Sequence, residues 1–289
     1  MKTSVSSYSY HKLLKSGQMD LFQVMDKTKE IGFDAIEFIE FTAPEGKSLA
    51  QFAAELRAHA DKIGLAISSY TVGANFLQDD VAAEVERVKA EVDIAAVLGV
   101  KVMRHDIFSS YPAGYKGVKT FDAVLPIIAP AIREVSEYAA TKGIITMSEN
   151  HGYIAQDADR LLRLYAAVNC PNYRYLCDIG NFICADENCA VSVGKMKDFI
   201  AHVHVKDFFI RSGMEPDPGR GWFRTRAGNY IRGTIFGQGN IPTWQCLGII
   251  KKSGYDGFVS LEFEGMEEPL MSIEIGYENL KRYIALLEA

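Results

Sequence analysis

The sequence predicts one α/β domain over residues 1–289, folded as a (β/α)8 barrel. Short apolar runs alternate with amphipathic stretches along the chain, and they form eight strand and helix units. Strict alternation of this kind indicates a parallel sheet, and eight units in 289 residues close most economically into a barrel. An open doubly wound sheet is the alternative, but no Gly-x-Gly-x-x-Gly motif follows the first predicted strand.

Five predicted strands follow a glycine at the end of an amphipathic stretch. The runs EIGFDAIEF, KIGLAISSY, LGVKVMRH, KGIITMSE and SGYDGFVSLEFE begin at residues 30, 62, 98, 142 and 253. The preceding stretches, such as SLAQFAAELRAHADK, have apolar residues at helical spacing. Glycine readily takes the left-handed conformation that ends a helix. We therefore expect this conformation at five glycines: Gly32, Gly64, Gly99, Gly143 and Gly254.

Three further strands complete the barrel. They are SVSSYS near residue 4, YRYLCDIG at residue 173 and AHVHVKD at residue 201. A long loop follows the seventh strand, at about residues 207–241, and loops of this length are commonly functional.

Composition and charge exclude several classes of protein. The chain has 31 Lys and Arg against 37 Asp and Glu, a net charge of -6, so it has no overall attraction for nucleic acid. The N-terminus lacks a continuous apolar core, and the run AVLPIIAPAI contains two prolines, which argues against secretion and against a membrane span. Five cysteines without Cys-x-x-Cys spacing indicate reduced thiols, and we expect a cytoplasmic protein. Homo-oligomerisation stays open.

Four consecutive strands end in residues of the metal-ligand type. Glu149, Asp178, His204 and Glu262 lie near the ends of strands five to eight. In a (β/α)8 barrel these ends line the active-site mouth. Each residue alone has a simpler explanation as a solvated strand end or a core histidine, but three carboxylates that each follow a buried run need compensating charge.

A bound cation is the leading candidate for that charge. No lysine or arginine immediately precedes the acids on strands five, six and eight. Three carboxylates and one imidazole form a mostly hard oxygen donor set, which suits one Mn²⁺ or Mg²⁺ ion, with Co²⁺ tolerated. The open coordination positions of such an ion could chelate two neighbouring oxygens of a substrate.

The segment HVHVKD contains two histidines that share one face of a strand. Because side chains alternate along a strand, His204 lies nearer the mouth and His202 one layer deeper. We interpret His204 as the ligand and His202 as a hydrogen-bonding residue of the barrel interior. Lys206 could polarise a substrate oxygen, and we expect Asp207 to cap or pair locally.

The motifs SENHG, CDIGN, HVHVKD, GQGNIP and SLEFEG occur in this order, with IGFDAIEF in the N-terminal half. In these residues the chain resembles the xylose isomerase-like TIM barrel superfamily, and in particular its sugar phosphate isomerase/epimerase branch. The resemblance implies one divalent ion held by Glu149, Asp178, His204 and Glu262. It also implies that Glu149 and Glu262 are catalytic, because in the ketose epimerases of the family two glutamates move a proton through an enediolate.

One position departs from that family pattern. The epimerases have a histidine three positions after the strand-six aspartate, and this chain has Asn181. An asparagine can form a hydrogen bond with a substrate hydroxyl but cannot transfer a proton. We therefore expect Asn181 to bind substrate.

The long loop is rich in arginine and suggests an anionic carbohydrate substrate. We predict that Arg211, Arg220, Arg224 and Trp222 bind substrate, with His151 as a further candidate near the mouth. The backbone amides of GQGN are an additional candidate for anion binding. A solvated loop or a dimer contact explains the same residues equally well.

These observations predict a divalent-metal-dependent isomerase or epimerase of a small ketose or keto-polyol. The nearest alternative is a metal-dependent dehydratase of a keto-cyclitol or keto-acid on the same scaffold. An apurinic-site endonuclease is less favoured, since it needs a multi-metal cluster and the chain has only six histidines. A non-catalytic sugar-binding protein is a further alternative.

Overall fold

A computed structural model describes all residues, 1–289, and contains eleven strands. Eight of them are parallel and form a closed barrel, and three form a separate antiparallel sheet. The strands are β1 (Lys2–Ser6), β2 (Ala35–Ile39), β3 (Ala66–Val72), β4 (Val102–His105), β5 (Ile145–Glu149), β6 (Tyr173–Asp178), β7 (Ile200–Val205), β8 (Asp207–Arg211), β9 (Phe223–Arg224), β10 (Tyr230–Thr234) and β11 (Phe258–Leu261).

The barrel closes through the pairing of its first and last strands. Strands β1 to β7 follow in chain order, and β11 pairs with both β7 and β1. Nine α-helices accompany the strands, and the predicted (β/α)8 fold is confirmed. The helices are α1 (His11–Lys15), α2 (Leu21–Ile31), α3 (Leu49–Ile63), α4 (Val81–Leu98), α5 (Phe121–Thr141), α6 (Ala158–Val168), α7 (Cys189–Met196), α8 (Thr243–Lys252) and α9 (Pro269–Glu288).

The predicted glycines stand at the ends of helices in left-handed conformation. Gly32, Gly64 and Gly99 are the C-caps of α2, α3 and α4, with φ of 109°, 66° and 75°. Gly143 and Gly254 have φ of 69° and 89° and follow the last residues of α5 and α8 closely. Each glycine therefore turns the chain from a helix into the next strand, as predicted.

The AVLPIIAPAI run lies inside α5, which accommodates both Pro126 and Pro130. None of the helices combines the length and the apolar character that a membrane crossing requires.

The alternation of HVHV follows from its position in the barrel. Val203 and Val205 belong to the apolar core, while His202 and His204 lie on the other face of β7. Glu37 on β2 has the same arrangement between the core residues Ile36 and Phe38. Outward side chains pack against helices, so the polar side chains of these strands are directed into the barrel.

The segment at about 207–241 is an ordered antiparallel sheet in the strand order β8-β10-β9. Asp207 anchors this segment to the end of β7, because its carboxylate accepts hydrogen bonds from four backbone amides. The predicted local pairing of Asp207 is thus confirmed. Two of the donors are Gly237 and Gly239 of the GQGN segment. The expectation that these amides bind an anion is wrong, since Asp207 occupies them.

A buried neutral histidine makes the fold sensitive to acid. Burial lowers the pKa of His105 from 6.5 to about 4. Below pH 6.5 the unfolded chain therefore binds a proton that the folded chain does not, and stability decreases as the pH falls towards 4. We expect the free energy of unfolding to drop by about 2 kcal/mol from this group between pH 7.5 and 5. Urea titrations at the two pH values measure it.

The control for this prediction is His105→Phe, which keeps an aromatic ring against Phe76 and Tyr173. Its loss of stability between the two pH values should be smaller than that of the parent by the same amount. An equal loss in both proteins would contradict the assignment to His105.

Candidate metal and catalytic site

The four predicted ligands converge at the carboxyl end of the barrel. Glu149 and Asp178 are the last residues of β5 and β6, His204 is the penultimate residue of β7, and Glu262 directly follows β11. One donor atom from each residue lies within 4.8 Å of the others. Glu149, Asp178 and His204 are buried, and Glu262 is partly exposed.

His204 is oriented by a carboxylate on the opposite side of its ring. Its Nε2 lies 2.7 Å from Glu37 Oε1, and Glu37 is completely buried. Its Nδ1 lies 3.6 Å from Glu149 Oε1 and 3.8 Å from Glu262 Oε2, and it forms no hydrogen bond. The second nitrogen of the ring therefore faces the carboxylate cluster.

The same carboxylates set the charge of His204. Burial opposes protonation, but Glu37 and Glu262 outweigh it and raise the pKa of His204 well above its ordinary value. A cation bound at Nδ1 would replace the proton there, so its affinity should depend on pH.

His202 lies one layer deeper, as predicted. Its Nε2 is 2.8 Å from Glu37 Oε2, so Glu37 contacts both histidines of β7 from across the barrel. Burial raises the pKa of Glu37, but the two imidazoles reverse this effect and hold it well below its ordinary value.

Asp178 is fixed by the turn that follows β6. Its Oδ1 accepts hydrogen bonds from the backbone amides of Gly180 and Asn181 at 2.7 and 2.9 Å. Its buried Oδ2 has no hydrogen bond and lies 3.1 Å from Lys206 Nζ. One oxygen is thus held by the backbone while the other faces the site.

Two protein cations lie among the carboxylates, which corrects the expectation that a bound ion is the leading candidate for compensating them. Arg104 Nη2 lies 2.8 Å from Glu149 Oε2. The ammonium of Lys206 contacts Glu262 and lies between it and Asp178. The expectation failed because it considered only cations that precede the acids on the same strands, whereas these cations reach the acids from β4 and from the end of β7.

The cations and burial give the carboxylates different proton affinities. Burial opposes ionisation of Glu149, but Arg104 and His204 lower its pKa well below the ordinary value. Burial dominates at Asp178 and raises its pKa to about 6, although Lys206 acts against this. Burial also opposes the charge of Lys206, but Asp178 and Glu262 raise its pKa well above the ordinary value. Glu149 and Lys206 are therefore charged at neutral pH.

The donor set fits a divalent ion. Asp178 Oδ2 and His204 Nδ1 are buried polar atoms without hydrogen bonds, and both belong to the four-residue cluster. Three oxygens and one nitrogen match the preference of Mn²⁺ and Mg²⁺. Glu37 would act as the partner that orients a ligating histidine through its other nitrogen. An ion held there would share Asp178 and Glu262 with the ammonium of Lys206, which contacts both carboxylates.

A cavity of about 400 Å³ opens over the cluster at the barrel mouth. Of the predicted catalytic and substrate-binding residues it is lined by Glu149, Glu262, Lys206 and His151. Asn181 lies directly behind Glu149, because its Nδ2 donates a hydrogen bond to Glu149 Oε1 at 3.1 Å. His151 is half-exposed and its Nδ1 lies 3.1 Å from Asp106 Oδ1.

The structure places the loop residues elsewhere. Arg211 and Trp222 line a separate cavity on the antiparallel sheet, which shares no lining residue with the mouth cavity. Arg224 lies over the ring of Tyr230, and Arg220 is exposed. Neither of these two arginines lines the mouth cavity or the separate one.

Several residues of the site were not identified from the sequence. Tyr8, Glu40 and Glu264 also line the mouth cavity, and Glu264 Oε1 lies 3.6 Å from Lys206 Nζ. Glu264 shares the face of Glu262 in LEFE, and this spacing could have indicated it. Glu37 and Arg104 were not assigned a role from the sequence, although an acid inside the apolar run IGFDAIEF is a signal of an inward-facing partner.

The fold and the donor cluster define a (β/α)8 barrel protein with a site suited to a divalent cation at its mouth. The family described as xylose isomerase-like TIM barrel matches residues 25–283, and the chain belongs to this family. The resemblance inferred from the motifs is thereby confirmed. No curated protein matches the sequence.

Solved structures share the barrel at low sequence identity. A xylose isomerase domain protein from Alicyclobacillus acidocaldarius aligns over 100% of both chains, with 18% identity and a TM-score of 0.74. An L-ribulose 3-epimerase aligns over 99% of this chain and 95% of its own, with 16% identity and a TM-score of 0.72. A probable 3-DHS dehydratase from Bacillus anthracis covers 96% of this chain and 99% of its own, with 17% identity and a TM-score of 0.71. At these identities the TM-scores show a shared fold alone.

Proposed function

We propose that the chain is a divalent-metal-dependent isomerase or epimerase that acts on a small ketose or keto-polyol. The observation that carries the proposal is the position of Glu149 and Glu262. Both line one cavity, and both belong to the cluster that fits a divalent ion. The structural likeness to an L-ribulose 3-epimerase adds support at the level of the fold.

The two glutamates reach the cavity from different sides. Strands β5 and β11 are separated by β6 and β7 in the barrel, so their terminal carboxylates approach a bound substrate from different directions. Arg104 keeps Glu149 ionised, and an ionised carboxylate can accept the proton from the carbon beside a ketone. The electron pair of the broken C–H bond moves to the carbonyl oxygen and forms an enediolate.

Return of a proton completes the reaction. Delivery to the opposite face of the same carbon inverts it. Delivery to the neighbouring carbon gives the isomer, provided that the hydroxyl on the first carbon passes its proton to the former carbonyl oxygen and becomes the new carbonyl. Glu262 is the second proton carrier in this scheme, and Lys206 beside it can donate a hydrogen bond to the substrate oxygen. Asn181 holds Glu149 in place from behind, and His151, which lines the cavity, is proposed to contact substrate hydroxyls.

One divalent ion, for which we propose Mn²⁺, would be held by Glu149, Asp178, His204 and Glu262 and would supply positive charge against a developing oxyanion.

The second candidate is a dehydratase on the same scaffold. The probable 3-DHS dehydratase matches this chain over nearly its full length, and removal of a proton beside a carbonyl is the first step of both reactions. In the dehydratase the β-carbon then loses hydroxide, and water is the second product.

Turnover in D₂O distinguishes the two candidates. The metal-loaded protein is incubated with a panel of ketoses and keto-polyols, and mass spectrometry with proton NMR follows the products. We expect one deuteron, at the carbon beside the ketone for an epimerase or at the former carbonyl carbon for an isomerase, and no change in the number of oxygens. Loss of water with formation of a double bond would instead establish the dehydratase.

A further inference from the structure

A second cavity lies on the antiparallel sheet, outside the barrel mouth. Its volume is about 490 Å³, and its charged lining residues are Arg211 and Arg232. No carboxylate lines it, although the chain as a whole has a net charge of -6. The local potential is therefore positive within an acidic protein.

Pairing of the strands brings both arginines to one aromatic ring. Arg232 of β10 stands opposite Phe209 of β8, and Arg211 lies two positions further along the same strand. The guanidinium carbons of Arg211 and Arg232 lie 5.5 and 5.7 Å from the ring centre of Trp222. Two like charges on one ring repel each other, and each cation–π contact recovers only about 0.5–1 kcal/mol at an exposed site.

The carboxylates nearest to these arginines do not neutralise them well. Arg211 Nη1 lies 4.0 Å from Glu215 Oε2, and both side chains are more than half exposed. Arg232 Nη2 lies 3.6 Å from Glu267 Oε1, an oxygen that also accepts a hydrogen bond from Thr234.

The hydrogen-bonding capacity of the arginines is also unused. Arg232 Nε is buried without a hydrogen-bond partner. The nearest carboxylate oxygens lie 4.0 Å from Arg211 Nη1 and 3.6 Å from Arg232 Nη2, beyond hydrogen-bond length, so the terminal N–H groups of both guanidiniums are available to a ligand in the cavity.

We propose that this cavity is an oxyanion-binding site that accepts the phosphate or carboxylate group of a small molecule. Two planar guanidinium groups can each donate two parallel hydrogen bonds to such an oxyanion. The bound anion also relieves the repulsion between Arg211 and Arg232. The site is separate from the proposed catalytic cavity and does not depend on the reaction performed there.

Trp222 provides a local probe for the test. The chain has two tryptophans, and the other, Trp244, is half-exposed on α8 beside Tyr283. In a Trp244→Phe background all tryptophan fluorescence reports on the cavity. We titrate this protein with inorganic phosphate and, separately, with citrate, while NaCl keeps the ionic strength constant. The expected result is a saturable fluorescence change with at least one of the two anions.

Paired variants assign the binding to the arginines. Arg211→Gln and Arg232→Gln, each in the Trp244→Phe background, should raise the dissociation constant at least tenfold. The matched control is Arg282→Gln, which removes one positive charge from an exposed position on α9 and should leave the dissociation constant unchanged. Circular dichroism establishes that each variant is folded, and the exposed Arg211 provides the test if Arg232→Gln is not.

The outcomes are separable. A non-saturating change with both anions, or an equal weakening in Arg282→Gln, would overturn the proposal. Tighter binding of phosphate assigns the site to phosphorylated compounds, and tighter binding of citrate assigns it to carboxylates. This test does not depend on the proposed isomerase activity, because the two cavities share no lining residue. Glu149→Gln and Glu262→Gln should therefore bind the anion with the dissociation constant of the parent.

Discussion

Replacing Glu149 or Glu262 with glutamine is expected to lower kcat/KM by about 10²–10⁴-fold, the usual contribution of a positioned general acid or base. Glutamine preserves the shape of the side chain, so packing at the strand ends should change little. It cannot accept a proton from carbon, and the proposed reaction would therefore lose one of its two proton carriers. Steady-state kinetics on the ketose identified in D₂O measures the effect.

Metal content and a surface variant provide the controls. Each glutamine variant is analysed for bound Mn²⁺, because loss of a ligand and loss of a base would both reduce turnover. Glu55→Gln on α3 removes an exposed carboxylate that pairs with Lys47, and its kcat/KM should equal that of the parent. Near-normal turnover of Glu149→Gln or Glu262→Gln with metal retained would reject the acid/base roles.

Glu37→Gln should produce a large loss of stability. The Glu37 carboxylate lies 2.8 Å from His202 Nε2 and 2.7 Å from His204 Nε2, and all three residues are buried. Removing one partner from a buried charged cluster leaves the others without compensation, at a cost of about 3–5 kcal/mol. Urea unfolding of the metal-free protein at pH 7 measures this loss.

The pH dependence of this loss has a defined sign. The pKa of Glu37 in the folded protein lies well below 4.5, so the carboxylate stabilises the fold at higher pH. The contribution is lost as the pH falls below 4.5, and the difference between parent and variant should shrink there. A difference that stays constant into acid would contradict the assignment to the charge of Glu37.

The same substitution should weaken Mn²⁺ binding by about 10–100-fold, the usual effect of removing a residue that orients a ligand. Calorimetric titration of the folded variant with Mn²⁺ measures this change independently of activity. Unchanged affinity would show that His204 does not need Glu37 for its orientation. The two measurements separate a structural role of Glu37 from a role in metal binding.

The barrel could be predicted from the sequence because its signals are local. A glycine that ends a helix and the apolar run behind it lie within a few residues, as at Gly64 and Gly99. The alternation in HVHV likewise assigned His204 to the interior without knowledge of any partner. Positions at strand ends follow from the fold, so the four residues of the cluster could be brought together in advance.

The partners of those residues could not be predicted, because they depend on distances across the barrel. Glu37 and His204 are 167 positions apart, and an acid inside an apolar run does not show which side chain it faces. The distances from Lys206 to Asp178 and Glu262 depend on side-chain conformation. The arginines of the 207–241 segment were predicted to bind substrate because the loop is rich in arginine. Their spacing in the sequence does not show that an antiparallel sheet places Arg211 and Trp222 at a separate cavity.

Asp207 anchors both ends of the 207–241 segment beside the end of β7. The two ends of this segment lie side by side, because Asn240 N donates a hydrogen bond to Phe208 O and Ile241 N donates one to the Asp207 carboxylate. These two hydrogen bonds do not involve residues 212–236, which lie between the anchored ends. Insertions and deletions there change the entropy of closing a loop that is already pinned, and this entropy varies only slowly with loop length. The length of this segment can therefore vary between its anchored ends while the register of the barrel strands is preserved.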